Sequence, residues 1–231
     1  MVQKAEWDSN FFGFPVGKVN LKSVDNFEEV ILASEKFKLV YVFSDVEINE
    51  PSLDLVDKKI IYKKALEANK EINPVEGNGD LTSFDPKIHS YDHLLELAHL
   101  SGTYSRFKLD SNIPGSRFLE MYKLWLDNSI NKKIAFETLV SITEGNISGF
   151  VTLGKKDSDC SQIGLIAVNG DYQGRSIGSR LISECEILSQ GKGFSSIEVT
   201  TQGENKAACG LYEKNNFNIK SAQYIYHLWN K

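Results

Sequence analysis

The segment that most restricts this chain is Gln162 to Gln190, QIGLIAVNGDYQGRSIGSRLISECEILSQ. An apolar run ending near Val168 has strand character. Ile177, Leu181, Cys185 and Leu188 then recur at helical spacing, which predicts a helix over 178–190. Between them lies Gln173-Gly174-Arg175-Ser176-Ile177-Gly178. A strand that turns through such a loop into a helix aims the backbone N–H groups of residues 174–179 into one concavity. The first N–H groups of a helix have no partner within it, and its aligned peptide dipoles make that end positive. A phosphate group satisfies both. Gly174 lets the backbone approach a ligand, and Gly178 lets the helix start pack closely. The loop lacks GxxxxGK(S/T), and its GxxxG spacing is not the GxGxxG of a dinucleotide site. By itself it also fits a plain tight strand-to-helix connection.

The remaining elements surround this loop. Ile134 to Ile142 and Ile147 to Leu153 read as strands joined by a hairpin at Glu144-Gly145-Asn146, where Gly and Asn tolerate positive φ. Ser196 to Thr201 reads as a strand, Lys206 to Lys214 as a helix, and Phe217 to Trp229 as one or two strands. Ahead of these, Leu94–Leu100 and Phe118–Leu126 carry helical patterns. The first part of the chain reads as a small α/β unit. Its strands are Val16–Leu21, Leu39–Phe43 and Lys59–Leu66, with an amphipathic helix over 27–37. Residues 67–86 are polar and carry two prolines and two glycines, the composition of a loop. The expected organisation is therefore a small α/β domain over 1–75, a linker over 76–88 and a larger domain over 89–231, in an α/β (α+β) class with a mixed sheet.

Composition narrows the function classes. The net charge is −5 and the pI about 5.5, without the basic face of a nonspecific nucleic-acid binder. No apolar stretch approaches the roughly 18 residues that span a bilayer, and no charged-then-apolar leader opens the sequence. A cytoplasmic protein without nucleic-acid or membrane partners is expected, with a homodimer left open. Cys160, Cys185 and Cys209 show no CxxC spacing and are expected to be reduced thiols. His89 and His93 stand four apart, but two histidines make half a metal site at best, and no metal is expected.

The loop Gln173–Gly178 resembles the Gln/Arg-x-x-Gly-x-Gly/Ala signature of the GCN5-related N-acetyltransferase (GNAT) superfamily. Ser176 stands where the pattern has its first glycine. Asn205-Lys206-Ala207-Ala208 followed by Leu211-Tyr212-Glu213-Lys214 resembles the second motif of the superfamily. Asn216-Phe217 replaces the usual Gly-Phe, and Asn is well suited to a left-handed helix end. The resemblance covers about residues 134–229. It implies a sheet with two splayed strands, acetyl-CoA as acyl donor, and direct transfer to an amine.

The resemblance also assigns roles. Ile166, Ala167 and Val168 would contact the pantetheine arm through their backbone, with the Val168 N–H as oxyanion donor. Gln173, Gly174, Arg175, Ser176, Ile177, Gly178 and Ser179 would hold the pyrophosphate. Tyr212 would protonate the leaving thiolate, and Asn205 would bind pantetheine or cap its helix. No general base can be read. Glu137 and Glu198 lie in strand patterns and fit solvated sheet residues as well as a cleft.

A narrower resemblance concerns the acceptor. Glu6-Trp7-Asp8-Ser9-Asn10-Phe11-Phe12-Gly13 with Val16-Gly17, and Tyr104-Ser105-Arg106-Phe107, are similar to segments of bacterial dTDP-fucosamine acetyltransferases. That family acetylates the 4-amino group of a dTDP-4-amino-4,6-dideoxyhexose for cell-surface polysaccharide. It would place Tyr104, Arg106 and Phe107 at the acceptor, with Lys108 and Arg117 nearby. A basic, partly aromatic surface loop anchored in the core explains the same residues. Another small amine as acceptor, a non-catalytic acyl-CoA-binding domain and an interaction protein that kept the fold also remain open.

Overall fold

The computed structural model describes residues 1–21, 27–67, 75 and 79–230. They fall into two compact units: Met1–Ile60 with Gln202–Glu204 and Ser221–Lys231, and Ile61–Thr201 with Asn205–Lys220.

In the first unit, β1 (Gln3–Lys4), α1 (Glu6–Phe12), β2 (Val16–Leu21), α2 (Phe27–Ser34) and β3 (Leu39–Ser44) follow one another. The last strand of the chain, β10 (Asn218–Trp229), returns antiparallel to β3, giving the order β1-β2-β3-β10. β3 is buried along almost its whole length, which is why it reads as an unbroken apolar run rather than an alternation. Val19, Phe27, Val30, Val40, Val42 and Leu228 form its core. Tyr226 joins them and satisfies its buried hydroxyl by accepting the Ile48 N–H at 2.6 Å. α1 was not foreseen as a helix; Gly13, at φ 77°, ends it in the left-handed conformation.

The second unit holds the end of β4 (Asp54–Ala65), then β5 (Asp80–Ser83), α3 (Tyr91–Ser101), α4 (Arg106–Leu109), α5 (Gly115–Ile130), β6 (Glu137–Thr143), β7 (Asn146–Lys155), β8 (Cys160–Val168), α6 (Ile177–Gly191), β9 (Ser196–Gln202) and α7 (Lys206–Lys214). The strand order is β4-β9-β8-β7-β6-β5. β8 runs parallel to β9 and antiparallel to β7, so the sheet is mixed as expected. α3 packs on β7 and β8, and α6 on β6, β7 and β8.

Several expectations are refined. The β6–β7 turn is Glu144-Gly145, with φ 54° and 80°, and Asn146 already pairs with Thr143. Phe217–Trp229 forms a single strand from Asn218. Of the expected linker, residues 76–78 lie outside the described residues, and Asp80–Ser83 is an edge strand paired with β6. An edge strand exposed on both faces carries no alternation for a sequence to display.

Candidate active site

Two strands part at the centre of the second unit. β8 and β9 are paired from Cys160–Ser196 to Ile163–Val199, and among the described residues the ladder goes no further. The cause lies on the other side of β8. Val151 stands opposite Ile166 and Leu153 opposite Ile163, so Gly164 and Leu165 together face Thr152. This is a β-bulge, which bends and twists the strand that carries the extra residue. The Thr152 hydroxyl fills it by accepting the Leu165 N–H at 2.8 Å.

Beyond the bulge the peptide groups sort themselves. Leu165 N–H turns to Thr152, and Asn169 N–H donates to the Ser148 carbonyl at 2.9 Å, both on the β7 side. Successive peptides in a strand face opposite ways. Ile166 and Val168 therefore turn their N–H and C=O groups into the opening, while those of Ala167 turn to β7. The Gln173 side chain donates to the Val168 carbonyl at 3.3 Å, tying the loop to the mouth of that opening.

The loop itself matches its sequence. Gly174 has φ 77°, and a Cβ placed there would meet nothing within 4 Å. Ser176, the helix N-cap, sits at φ 63° and contributes no side-chain cap. The left-handed conformation explains why the motif has glycine at that place. A Cβ on Gly178 would lie 3.0 Å from Leu211, so this glycine lets α6 approach α7. The first turn of α6 holds no acidic residue. Its N–H groups and positive dipole end thus stand open to an anion. Arg175 is turned onto its own loop: its guanidinium donates to the Asp171 carbonyl at 3.3 Å and stacks 5.2 Å from the Tyr172 ring. Ile177 is buried in the core, and the Ser179 hydroxyl accepts from Asn215 at 3.0 Å.

α7 brings the other candidates. Asn205 caps it, its side-chain oxygen accepting the Ala208 N–H at 3.1 Å. Tyr212 is only 2% exposed, with its ring beside those of Tyr62 at 5.6 Å and Phe217 at 6.0 Å. Burial pushes its phenol above the ordinary tyrosine range, and Cys209 and Cys185 add to the shift, so the proton is firmly held. The helix closes on Asn216 at φ 63°, the conformation expected of the residue replacing glycine.

The carboxylates considered as bases have structural partners. Glu198, 3% exposed, is held by Lys220 at 2.5 Å and Lys63 at 3.8 Å. Glu137 pairs with Lys132 at 3.3 Å and accepts the Thr138 N–H. Glu186, which the sequence did not single out, lies buried on α6 with Lys64 at 2.7 Å; burial raises its carboxyl despite that lysine. Among the described residues no group of three or more His, Cys, Asp or Glu is arranged to hold a metal. The three cysteines are buried and not joined in disulfides.

The residues picked for the acceptor separate. Tyr104 is 42% exposed. Arg106 stacks on the Phe107 ring at 4.4 Å, and Phe107 itself turns inward, edge-on to Trp125 at 6.3 Å. Lys108 lies over Phe118, and Arg117 pairs with Glu120 one turn along α5.

Residues 104–217 match the family model described as the acetyltransferase (GNAT) family. The chain is 26% identical over 144 residues to the spore coat polysaccharide biosynthesis protein SpsD of Bacillus subtilis, covering 62% of this chain and 49% of that one. It is 26% identical over 156 residues to the dTDP-fucosamine acetyltransferase of Escherichia coli, covering 66% and 64%. The chain thus spans about half and about two thirds of these curated relatives. A GCN5-related N-acetyltransferase from Sphaerobacter thermophilus shares the fold, with TM-score 0.57 at 16% identity over 88% of this chain and 65% of that structure. No helix among the described residues is long and apolar enough to cross a membrane. Residues 104–217, which hold the parted strand pair leading to an uncapped helix start, thus match the acetyltransferase (GNAT) family.

Proposed function

We propose that this protein transfers an acetyl group from acetyl-CoA directly to an amine, and that the amine is the 4-amino group of a dTDP-4-amino-4,6-dideoxyhexose. The observation that carries the acyl-transfer reading is the opening beyond Ile163 and Val199, with the uncapped start of α6 at its mouth. An extended arm fits between parted strands as an added strand does, through main-chain hydrogen bonds. The donor's pyrophosphate fits the N–H groups of Gly174 to Ser179. The thioester supplies an activated acyl carbon, and the chain's groups do the rest. Ile166 and Val168 N–H groups, already turned into the opening, donate to the carbonyl oxygen as it gains charge. Tyr212, which burial keeps protonated, gives its proton to the sulfur as the C–S bond breaks, and the proton that the attacking nitrogen loses on forming the C–N bond passes to solvent, from which the phenol is reprotonated.

The nucleotide-sugar reading is supported by the N-terminal resemblance and by a relative named as a dTDP-fucosamine acetyltransferase. On this reading Tyr104 and the Arg106–Phe107 stack border the acceptor. A thiol-release assay with acetyl-CoA tests it, using dTDP-4-amino-4,6-dideoxygalactose, its glucose epimer, polyamines and amino acids. Rapid release with one nucleotide sugar alone is expected. Release with another amine and none with the sugars would keep acyl transfer and discard the acceptor. No release with any amine, despite CoA binding, would discard catalysis.

A further inference from the structure

Tyr212 has a peculiar situation for a proton donor. Among the described residues no protein group hydrogen-bonds its hydroxyl, so only ring packing decides where that oxygen points. The ring has two aromatic neighbours. Phe217 follows α7 directly in the chain, whereas Tyr62 arrives from β4. Tyr62 is 1% exposed, and its ring is tilted 48° against that of Tyr212. Its hydroxyl donates to Glu213 Oε1 at 2.7 Å, and the Cys209 thiol lies against the Tyr62 hydroxyl as well. Positions 209 and 213 are one helical turn apart and share a face. Tyr62 is therefore gripped by α7 on both sides of the residue whose ring it touches. A buried phenol needs an acceptor, and here the acceptor is the exposed Glu213 carboxylate, the residue next to Tyr212 on α7.

We infer that Tyr62, fixed by its hydrogen bond to Glu213, is a positioning residue that sets the Tyr212 hydroxyl for proton transfer; the inference rests on the donor role proposed for Tyr212. The sequence separation of the pair, 151 positions, hides it from any local motif. Freed from Glu213, the Tyr62 ring can tilt, and the Tyr212 oxygen moves with it. A displacement of about 1 Å at a reacting group can cost on the order of 100-fold in rate, and a partial one less.

The test is steady-state kinetics on the full chain with acetyl-CoA and whichever amine proves active. Tyr62→Phe keeps the ring and removes the hydrogen bond. It is expected to lower kcat by roughly 10-fold while KM for acetyl-CoA stays unchanged. Glu213→Ala, a surface change, should do the same, and Glu213→Gln, which still accepts, should restore kcat. In a Tyr212→Phe background, Tyr62→Phe should have no further effect, because both act through one hydroxyl. Two results overturn the inference while sparing Tyr212: an unchanged kcat in Tyr62→Phe beside a slow Tyr212→Phe, or equal losses from Tyr62→Phe in both backgrounds. An unchanged kcat in Tyr212→Phe itself removes the donor role, and the inference falls with it.

Discussion

The second unit contains two helix starts that solve the same problem in opposite ways. α7 caps itself: the Asn205 side chain accepts the Ala208 N–H, and the helix start is satisfied from within. α6 does not. Ser176 at its N-cap offers no side-chain acceptor, Gly174 ahead of it takes a positive φ, and no carboxylate lies in its first turn. An uncapped helix start leaves N–H donors and a positive dipole end facing outward, and stability is forgone unless an anion arrives. On the proposed reading α7 contributes side-chain chemistry through Tyr212, and α6 contributes its backbone to binding. The difference teaches that a helix start can be read as a site by what fails to cap it.

The comparison can be broken at several points. The largest effect should come from Gly174→Asp. The added side chain enters open space, and Asp tolerates the left-handed conformation, so the fold should survive. A carboxylate near the pyrophosphate repels it by about 4 kcal/mol at an effective dielectric near 20. Calorimetry with CoA should show affinity reduced on the order of 100-fold or more. An unaltered Kd would mean that the start of α6 does not hold the donor.

Next comes Tyr212→Phe, with kcat expected to fall by roughly 10²–10⁴ and CoA affinity unchanged. Because burial raises the phenol, its proton should persist between about pH 7 and 9. The raised group is neutral below its folded pKa, so Tyr212 should cause no alkaline loss of kcat across that window. A kcat decline there that disappears in Tyr212→Phe would contradict the assignment.

Asn205→Ala removes the cap of α7. A loss of about 1 kcal/mol is expected, seen as a melting temperature lower by about 2–4 °C. A much larger rise in KM for acetyl-CoA than this stability change explains would show that Asn205 also binds the donor. The smallest effect should be that of Ser176→Gly. The serine holds a left-handed conformation that costs a non-glycine residue roughly 1 kcal/mol, so the glycine variant should melt slightly higher with unchanged Kd for CoA. A lower melting temperature would mean that the Ser176 side chain has a stabilising role of its own.

The line between what was legible and what was not follows the range of the interaction. The helix from Ile177, the helix Lys206–Lys214 and the left-handed Asn216 rest on spacing and local conformational preference, and the chain carries these in adjacent residues. Gly174 could be placed at a turn for the same reason, whereas Ser176 disguised its conformation because serine rarely adopts it. Asp80–Ser83 was hidden among polar residues because an edge strand needs no buried face. The inward turn of Phe107 could not be separated from a stacking role, since aromatic residues serve cores and ligands alike.

By itself, the sequence determined the phosphate-type loop, the order of strands and helices around it, and the motif that carries Tyr212. The resemblance implied two splayed strands, but only the tertiary structure decided that β8 parts from β9 beyond Ile163, because the bulge depends on how Thr152 of a neighbouring strand meets Leu165. Only it paired β10 with β3, turned Glu198 into the partner of two lysines, and joined Tyr62 to Glu213. Local preferences are written in neighbouring residues, whereas register, ion pairing and ring contacts arise between segments whose encounter depends on the rest of the chain having folded.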